Sequence, residues 1–407
     1  MKQKRAPYLI YIYILFLLIG RSFTVLGKYS VLLVLIPIML CQLILTGKGK
    51  IHKSISTVNI IYLVYIIWFI FAGIINGDFT SSSDTVPLLV NYITCVLIAS
   101  LISSKINTVK HINNILSICL MILIVNIILS ILQFLNIQIG WTIWEVFNPS
   151  INSAAEVRLQ NLVQGQEQEL GINFSPGLFL SIVTNGYFMA SFGLLPLVLA
   201  AKSSSVFRRT IMYFIYVASL ITLFIIQQRA AFFIFIFFSL VILYKTAKQQ
   251  KGAIFVSLIV ILLILTTFDG SIELGRLSET SLEEDNRYDL FRKAVDYISN
   301  HFMFGGRVDF VSYAGWNAHN FIFNSFIYSG FIGAILLIFI AYKMLALSLK
   351  MIISNSRFGL QSLFFSCALL AYLAIGLLHN ESLVTGTPTL FILYSLLVIT
   401  MDCDKYY

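Results

Sequence analysis

Residues 113–137 read NNILSICLMILIVNIILSILQFLNI, about 25 positions without a single charge. A helix needs about 20 predominantly apolar residues to cross the hydrocarbon core of a bilayer. This stretch meets that length, and Asn126 and Gln133 are the polar side chains near its middle and end. The same texture recurs on both sides of it. Apolar runs bounded by charges and by Gly, Pro, Asn and Ser fall at roughly 8–20, 30–46, 58–75, 86–102, 113–137, 177–200, 210–226, 230–244, 253–267, 319–342, 358–378 and 387–401. The first is short and is extendable through Arg21 toward Leu26. The seventh and eighth are separated only by Gln227-Gln228-Arg229, and about 35 residues is too long for one ordinary crossing.

The whole chain agrees with this reading. Of 407 residues, 58% are hydrophobic and 11% charged, and the mean hydropathy is +0.89. A soluble domain carries about 25% charge and has too little interior to hide so much apolar surface. Soluble enzymes, disordered chains and disulfide scaffolds are excluded. Cys41, Cys95, Cys119 and Cys367 stand in apolar runs and Cys403 near the last residues, so no disulfide framework is expected. Met1–Arg5 is basic, but no small-residue cleavage site follows, which reads as a retained first span. The expectation is an all-α polytopic membrane protein of about 12 transmembrane helices, a single integral membrane domain over 1–407.

Orientation follows from Lys and Arg, which concentrate on the cytoplasmic side. With the N-terminus in the cytoplasm, 18 of the 27 basic residues fall in inner loops and 16 of the 18 acids in outer ones. The inner side then carries +16 and the outer side −7, which together return the net +9. A wrong span count would scramble this alternation. Both termini are therefore expected inside, and the basic balance reflects topology without pointing to nucleic acid.

Two extracytoplasmic loops are long, 136–176 and 268–317, and an external site has room there. The second holds an expected amphipathic helix. Ser281-Leu-Glu-Glu284 fits a capping box; Phe291, Val295, Ile298 and Phe302 recur at helical spacing; Gly305-Gly306 ends the run. Such a helix either lies on the membrane or merely caps the bundle. No Asp, Glu, Lys or Arg falls at mid-membrane, which counts against an ion-coupled transporter. Asn91, Asn126, Gln133 and Asn185 remain as buried polar groups, whose common use is a bond to a neighbouring helix. His319, in Trp316-Asn317-Ala318-His319-Asn320, stands where the long loop enters a span. A lone His there is more commonly interfacial or structural. His301 reads as a charge at a helix C-terminus, and His379 stands in a short loop. Arg229 stands in a nearly apolar turn; it either meets an anion or snorkels to the surface. The external Arg287, Arg292, Lys293 and Arg307 have local carboxylates such as Glu284 and Asp289 as helical-spacing partners.

Taken in order, Arg229-Ala230 between two spans, Asn286-Arg287-Tyr288, Phe304-Gly305-Gly306, Ala318-His319-Asn320 and Gly330-Phe-Ile-Gly333 resemble the O-antigen ligase/polymerase superfamily, over roughly residues 175–340. Members usually have Gly after the first Arg; here it is Ala230. The resemblance implies a repeat-unit polymerase on the outer face of the cytoplasmic membrane. It would join oligosaccharides carried on undecaprenyl diphosphate into O-antigen, capsular or exopolysaccharide. It implies inverting transfer without metal or cofactor, with His319 as base and Arg229, Arg287, Arg307 and Asn320 as the diphosphate- and substrate-binding set. Implied partners are the lipid-linked oligosaccharide, the bilayer and a chain-length regulator. The chemistry is coherent: a sugar hydroxyl needs a base that works near neutrality, and guanidinium forks match phosphate oxygens. Glu283-Glu284-Asp285 reads as an acidic helix start. The alternatives are a ligase that moves finished glycan to a lipid or protein acceptor, and a flippase or transporter for lipid-linked sugar. A peptidoglycan-type polymerase would want a catalytic external Asp and ranks below these.

Topology is directly testable. Reporter fusions after Lys251 and within 278–284 are expected to read inside and outside respectively; the same side for both would break the twelve-span alternation.

Overall fold

A computed structural model describes residues 8–19, 24–25, 29–45, 51–79, 85–147, 175–179, 181–226, 228–246, 286–354, 359–378 and 382–404. Over these the chain is helical apart from one minimal hairpin. The helices are α1 (Tyr8–Ile19), α2 (Val31–Leu45), α3 (Lys53–Ile75), α4 (Thr85–Lys105), α5 (Val109–Phe134) and α6 (Gln138–Phe147). They continue with α7 (Ile182–Phe192), α8 (Leu195–Lys202), α9 (Val206–Ile225), α10 (Arg229–Lys245), α11 (Asn286–Asn300) and α12 (Arg307–Ala314), and end with α13 (Phe321–Ile353), α14 (Leu360–Gly376) and α15 (Pro388–Asp404). Six helical segments are long and apolar enough to cross a membrane: Lys53–Ile75, Pro87–Lys105, Val109–Phe134, Ile182–Lys202, Val206–Ile225 and Phe321–Ile353. Tyr8–Ile19, Leu35–Ile44, Leu360–Gly376 and Pro388–Cys403 are shorter apolar helices. The expected run at 253–267, the capping box Ser281–Glu284 and His379 lie outside the described residues.

The first helix does not continue toward Leu26. Thr24–Val25 (β1) and Tyr29–Ser30 (β2) pair antiparallel, Thr24 opposite Ser30. Thr and Val favour extended backbone over helix. The seventh and eighth expected runs form two helices, α9 ending at Ile225 and α10 beginning at Arg229.

Packing sorts the helix ends into two groups. α3 packs on α13 and α4, α15 on α4 and α14, and α14 on α7 and α10. At one end, the His52 ring accepts the Ser54 N–H at 3.1 Å, and its Nε2 lies 2.9 Å from Asp402 of α15. The His52 N–H donates to Ser103 of α4. Asn113 of α5 accepts from Lys202 and Gln361, joining the end of α8 to the start of α14. At the other end, Asn76 just beyond α3 donates to the Phe304 carbonyl, and Asn320 before α13 donates to the Leu377 carbonyl beyond α14.

Three irregular segments are enclosed between helices at this second end. Ser175–Phe179 is held by α5 and α7: Gln133 exchanges bonds with both the N–H and the carbonyl of Gly177, and Asn126 accepts the Leu178 N–H. Asn126 also donates to Asn185, which in turn donates to the Ser175 carbonyl. Three of the intramembrane amides singled out in the sequence thus brace buried backbone. Residues 382–387 are held from α3 and α4, where Tyr62 and Tyr92 donate to the carbonyls of Leu383 and Val384.

The third segment enters a break in α13. Gly330 has φ 62° and ψ −165° within an otherwise helical run. The lost helical bond would have joined the Phe331 N–H to the Ile327 carbonyl. Both groups find new partners in residues 302–306: the Gly306 N–H donates to the Ile327 carbonyl and the Phe331 N–H to the Phe302 carbonyl, each at 2.8 Å. Trp68 of α3 donates to the Ser329 carbonyl at 2.7 Å and stacks on Phe304. A Cβ on Gly305 would stand 2.5 Å from the Ile327 carbonyl oxygen, so only glycine permits this approach.

The amphipathic helix is present as α11, with its buried stripe rotated from the expected one. Leu290, Ala294 and Tyr297 are buried, Phe291 and Ile298 flank them, and Val295 and Phe302 are exposed. Apolar spacing misled here because Ala294 is small and Tyr297 carries a hydroxyl. That hydroxyl donates to the Gly306 carbonyl at 2.7 Å, so the polar atom travels inward with the ring. Lys293 pairs with Asp289 at 2.8 Å, the helical-spacing partner expected of it.

Gly330→Ala is expected to be the most damaging glycine change at this end. It places a Cβ against the Met303 carbonyl in a backbone region closed to other residues, and it endangers two buried backbone bonds worth about 1–3 kcal/mol each when left unmade. Size-exclusion profiles and thermal unfolding in detergent check this. Gly315→Ala, where nothing lies within 4 Å but φ is 82°, serves as the comparison that carries left-handed strain of about 1–2 kcal/mol without a clash.

Candidate functional site

Three asparagines fix the backbone around His319. The Asn320 side-chain oxygen accepts the N–H groups of Ile322 (2.8 Å) and Phe323 (3.1 Å), which caps α13, while its amide nitrogen donates to Leu377. A cap of this kind is worth about 1 kcal/mol. Asn324, one turn into the helix, accepts the Ala318 N–H at 3.1 Å. Asn317 accepts from the Tyr328 hydroxyl at 3.2 Å. Held between them, His319 takes φ 49°, one of two non-glycine residues with positive φ among the described residues. Left-handed backbone at such a residue costs about 1–3 kcal/mol and persists where the surroundings over-determine it. The His319 ring is half-buried.

Arg307 comes to the same end from the long loop. It opens α12, directly after Gly306, and its guanidinium carbon lies 5.6 Å from the centre of the Tyr328 ring. The chain from Arg307 through Tyr328 to Asn317 ends two residues before His319. Asn320, expected to bind substrate, is committed as cap and tie. His301 ends α11, with its ring stacked 4.0 Å from that of Tyr297.

Arg229 opens α10, which packs against α7 and α14. Its Nε and Nη2 atoms are shielded from solvent. Close by, Gln228 and Ala231 border Gly186 of α7. Asn320 donates just beyond the end of α14, so α10 and the His319 junction share a partner helix. Arg287 stands in the first turn of α11, and its side chain lies outside the described set.

The sequence reading missed Asp78. It lies beyond the end of α3, is 3% exposed, and accepts the Val308 N–H at 3.2 Å at the start of α12. A carboxylate there meets the positive end of the helix dipole. Burial raises the Asp78 carboxyl above its usual range; the Val308 N–H, the Arg307 charge and the Arg307 N–H oppose this, and Asp309 adds to it. The Tyr297 hydroxyl is likewise raised, by burial first and then by Asp309 and Asp78. A signal for Asp78 was present: Asn76-Gly77-Asp78 is a turn sequence in a short loop where every polar group is conspicuous.

In chemical terms this end offers an imidazole on a fixed backbone, a guanidinium placed over an aromatic face, and a buried carboxylate at the start of the helix that carries the guanidinium. Comparison of the chain with protein-family models and with curated proteins finds no match.

The raised Asp78 carboxyl has a signed consequence. Below the ordinary carboxylate pKa both folded and unfolded chains hold the proton. Between that value and the raised folded one, only the folded chain holds it, so stability falls as pH rises through this window and stays lower above it. Asp78→Asn removes the ionisation. Relative to wild type, its melting temperature in detergent is expected to improve as pH rises from about 4 to 7; a difference independent of pH would show that Asp78 is not buried as described.

Proposed function

We propose that the chain is a polytopic glycosyltransferase of the cytoplasmic membrane. It joins oligosaccharide repeat units carried on a polyprenyl diphosphate, undecaprenyl in the resemblance described above, on the outer face. One observation carries this reading. Three of the five sequence elements of the resemblance, those between 304 and 333, form one assembly: Phe304-Gly305-Gly306 fills the break at Gly330, and Ala318-His319-Asn320 caps the same helix. Supporting it, Arg307 is held beside that assembly over Tyr328. Twelve spans with both termini cytoplasmic belong to this reading through the charge alternation of the sequence, and the sorting of helix ends supports only the gathering of basic residues at one end. The basic Lys53, Lys105 and Lys202 stand with the starts or ends of helices joined through His52, Ser103 and Asn113.

In the reaction, a hydroxyl oxygen of the acceptor sugar attacks the anomeric carbon of the donor while the bond from that carbon to the diphosphate oxygen breaks. His319 takes the hydroxyl proton. The electron pair leaves with the polyprenyl diphosphate, and the configuration at carbon inverts. The leaving group is already good, so the main demand is neutralisation of its growing charge, which Arg229, Arg287 and Arg307 meet as guanidinium donors. The left-handed backbone at His319 fixes where its ring begins, and orientation of a base is what such catalysis requires.

General-base catalysis is typically worth about 10²–10⁴-fold. His319→Ala is therefore expected to remove nearly all polymer laddering in cells that accumulate lipid-linked repeat units, with the protein at normal membrane level. His301→Ala, at the end of α11, is expected to be mild. Arg229→Lys and Arg287→Lys are expected to lose much of the activity, since an ammonium keeps the charge but not the fork. A full ladder from His319→Ala protein at normal level would sink the assignment and favour a transporter for lipid-linked sugar.

A further inference from the structure

Asp78 is far from His319 in sequence and belongs to none of the motif elements, yet it supports the helix start that carries Arg307. Its carboxylate accepts the Val308 N–H and lies at the first turn of α12, whose first residue is Arg307. Arg307 extends over the face of Tyr328, which is itself 3% exposed and donates to Asn317. The guanidinium thus lies over a buried ring, in the field of a buried carboxylate on a different helix connection. The start of the same short helix is fixed a second time, because the Tyr297 hydroxyl holds the Gly306 carbonyl just before it. An arginine confined in this way has lost most of its rotamer freedom before any ligand arrives. That is the condition under which a fork binds an anion without a further ordering cost.

We propose that Asp78 is a positioning residue, which holds α12 and the Arg307 guanidinium against Tyr328 so that Arg307 meets the diphosphate of the donor. This rests on the reading that the chain handles a polyprenyl diphosphate. A carboxylate beside a cation has two opposite effects on a passing anion: it weakens the net charge and fixes the geometry. Here the fixing dominates, because Asp78 is bound to backbone N–H groups and cannot follow the guanidinium outward. Removing the charge of Asp78 while retaining an acceptor for Val308 frees Arg307 and weakens its grip on diphosphate.

Asp78→Asn and Asp78→Ser both keep an acceptor and remove the charge. The full-length protein in detergent is titrated with undecaprenyl diphosphate, and with undecaprenol as the neutral lipid of the same tail. Wild type is expected to prefer the diphosphate. Arg307→Gln is expected to lose about tenfold of that binding, the scale of one charge-assisted hydrogen bond, and each Asp78 variant a similar factor. In the Arg307→Gln background, Asp78→Asn is expected to change binding by less than about twofold, since coupled residues are not additive. Asp78 variants that bind like wild type, while Arg307→Gln does not, would overturn the positioning role and leave the proposed function standing. Losses that multiply in the double variant would also overturn it, as would failure of both Asp78 variants to reach the membrane. Equal binding of the two lipids by wild type would overturn the polyprenyl-diphosphate reading itself.

Discussion

The break in α13 at Gly330 is the constraint around which one end of the molecule is organised. A helix that stops in an apolar setting frees an N–H and a carbonyl that water is not there to satisfy, and each costs several kcal/mol in hydrocarbon. Here both are taken up by one five-residue piece of the long loop, 302–306, whose own backbone fits only because positions 305, 306 and 330 are glycine. The repair therefore fixes the long loop against α13. Once it is docked, the helix before it (α11) has a defined end and the helix after it (α12) a defined start, and Arg307 is delivered beside Tyr328.

The same physical rule accounts for the polar side chains inside the bundle. Asn126, Gln133 and Asn185 serve Ser175–Phe179; Tyr62 and Tyr92 serve residues 382–387; Trp68 and Asn76 serve the break and its filler. Each is an uncharged group that reaches irregular backbone from an adjacent helix. Amides and hydroxyls do this at a far smaller desolvation cost than ions, which explains how the described spans carry so little charge and still enclose non-helical chain. It also separates support from chemistry: these groups are committed to backbone, whereas the cations lie at helix starts.

At the end that holds the α13 break, the charged residues are arranged by helix termini. Asp78 meets the start of α12, while Arg229 and Arg307 each open a helix. A cation at a helix start is opposed by the dipole, so Arg307 stands where the local field favours an anion, either Asp78 from within or a phosphate from without.

How much of this was legible beforehand follows from the range of each interaction. Membrane class and the positions of the apolar helices are written in local composition, because a span is a contiguous run and hydrocarbon selects it residue by residue. The helix start at Asn320 and the Lys293–Asp289 pair are likewise contacts within a turn or two, and the sequence determined them alone; the helical run expected to reach Gly305-Gly306 stops at Asn300. The face that α11 buries was not legible, since Tyr297 turns inward only because the Gly306 carbonyl waits there. Nor was the use of Gly330, which looks like any glycine in a span until 302–306 is beside it. Asp78 was the plainest omission: it lies 230 positions from the Val308 N–H that it accepts. Such pairings depend on which helix ends come together. Only the tertiary structure decided that, because burial and buried hydrogen bonds act on neighbours in space, and a single chain's spacing records neighbours in sequence.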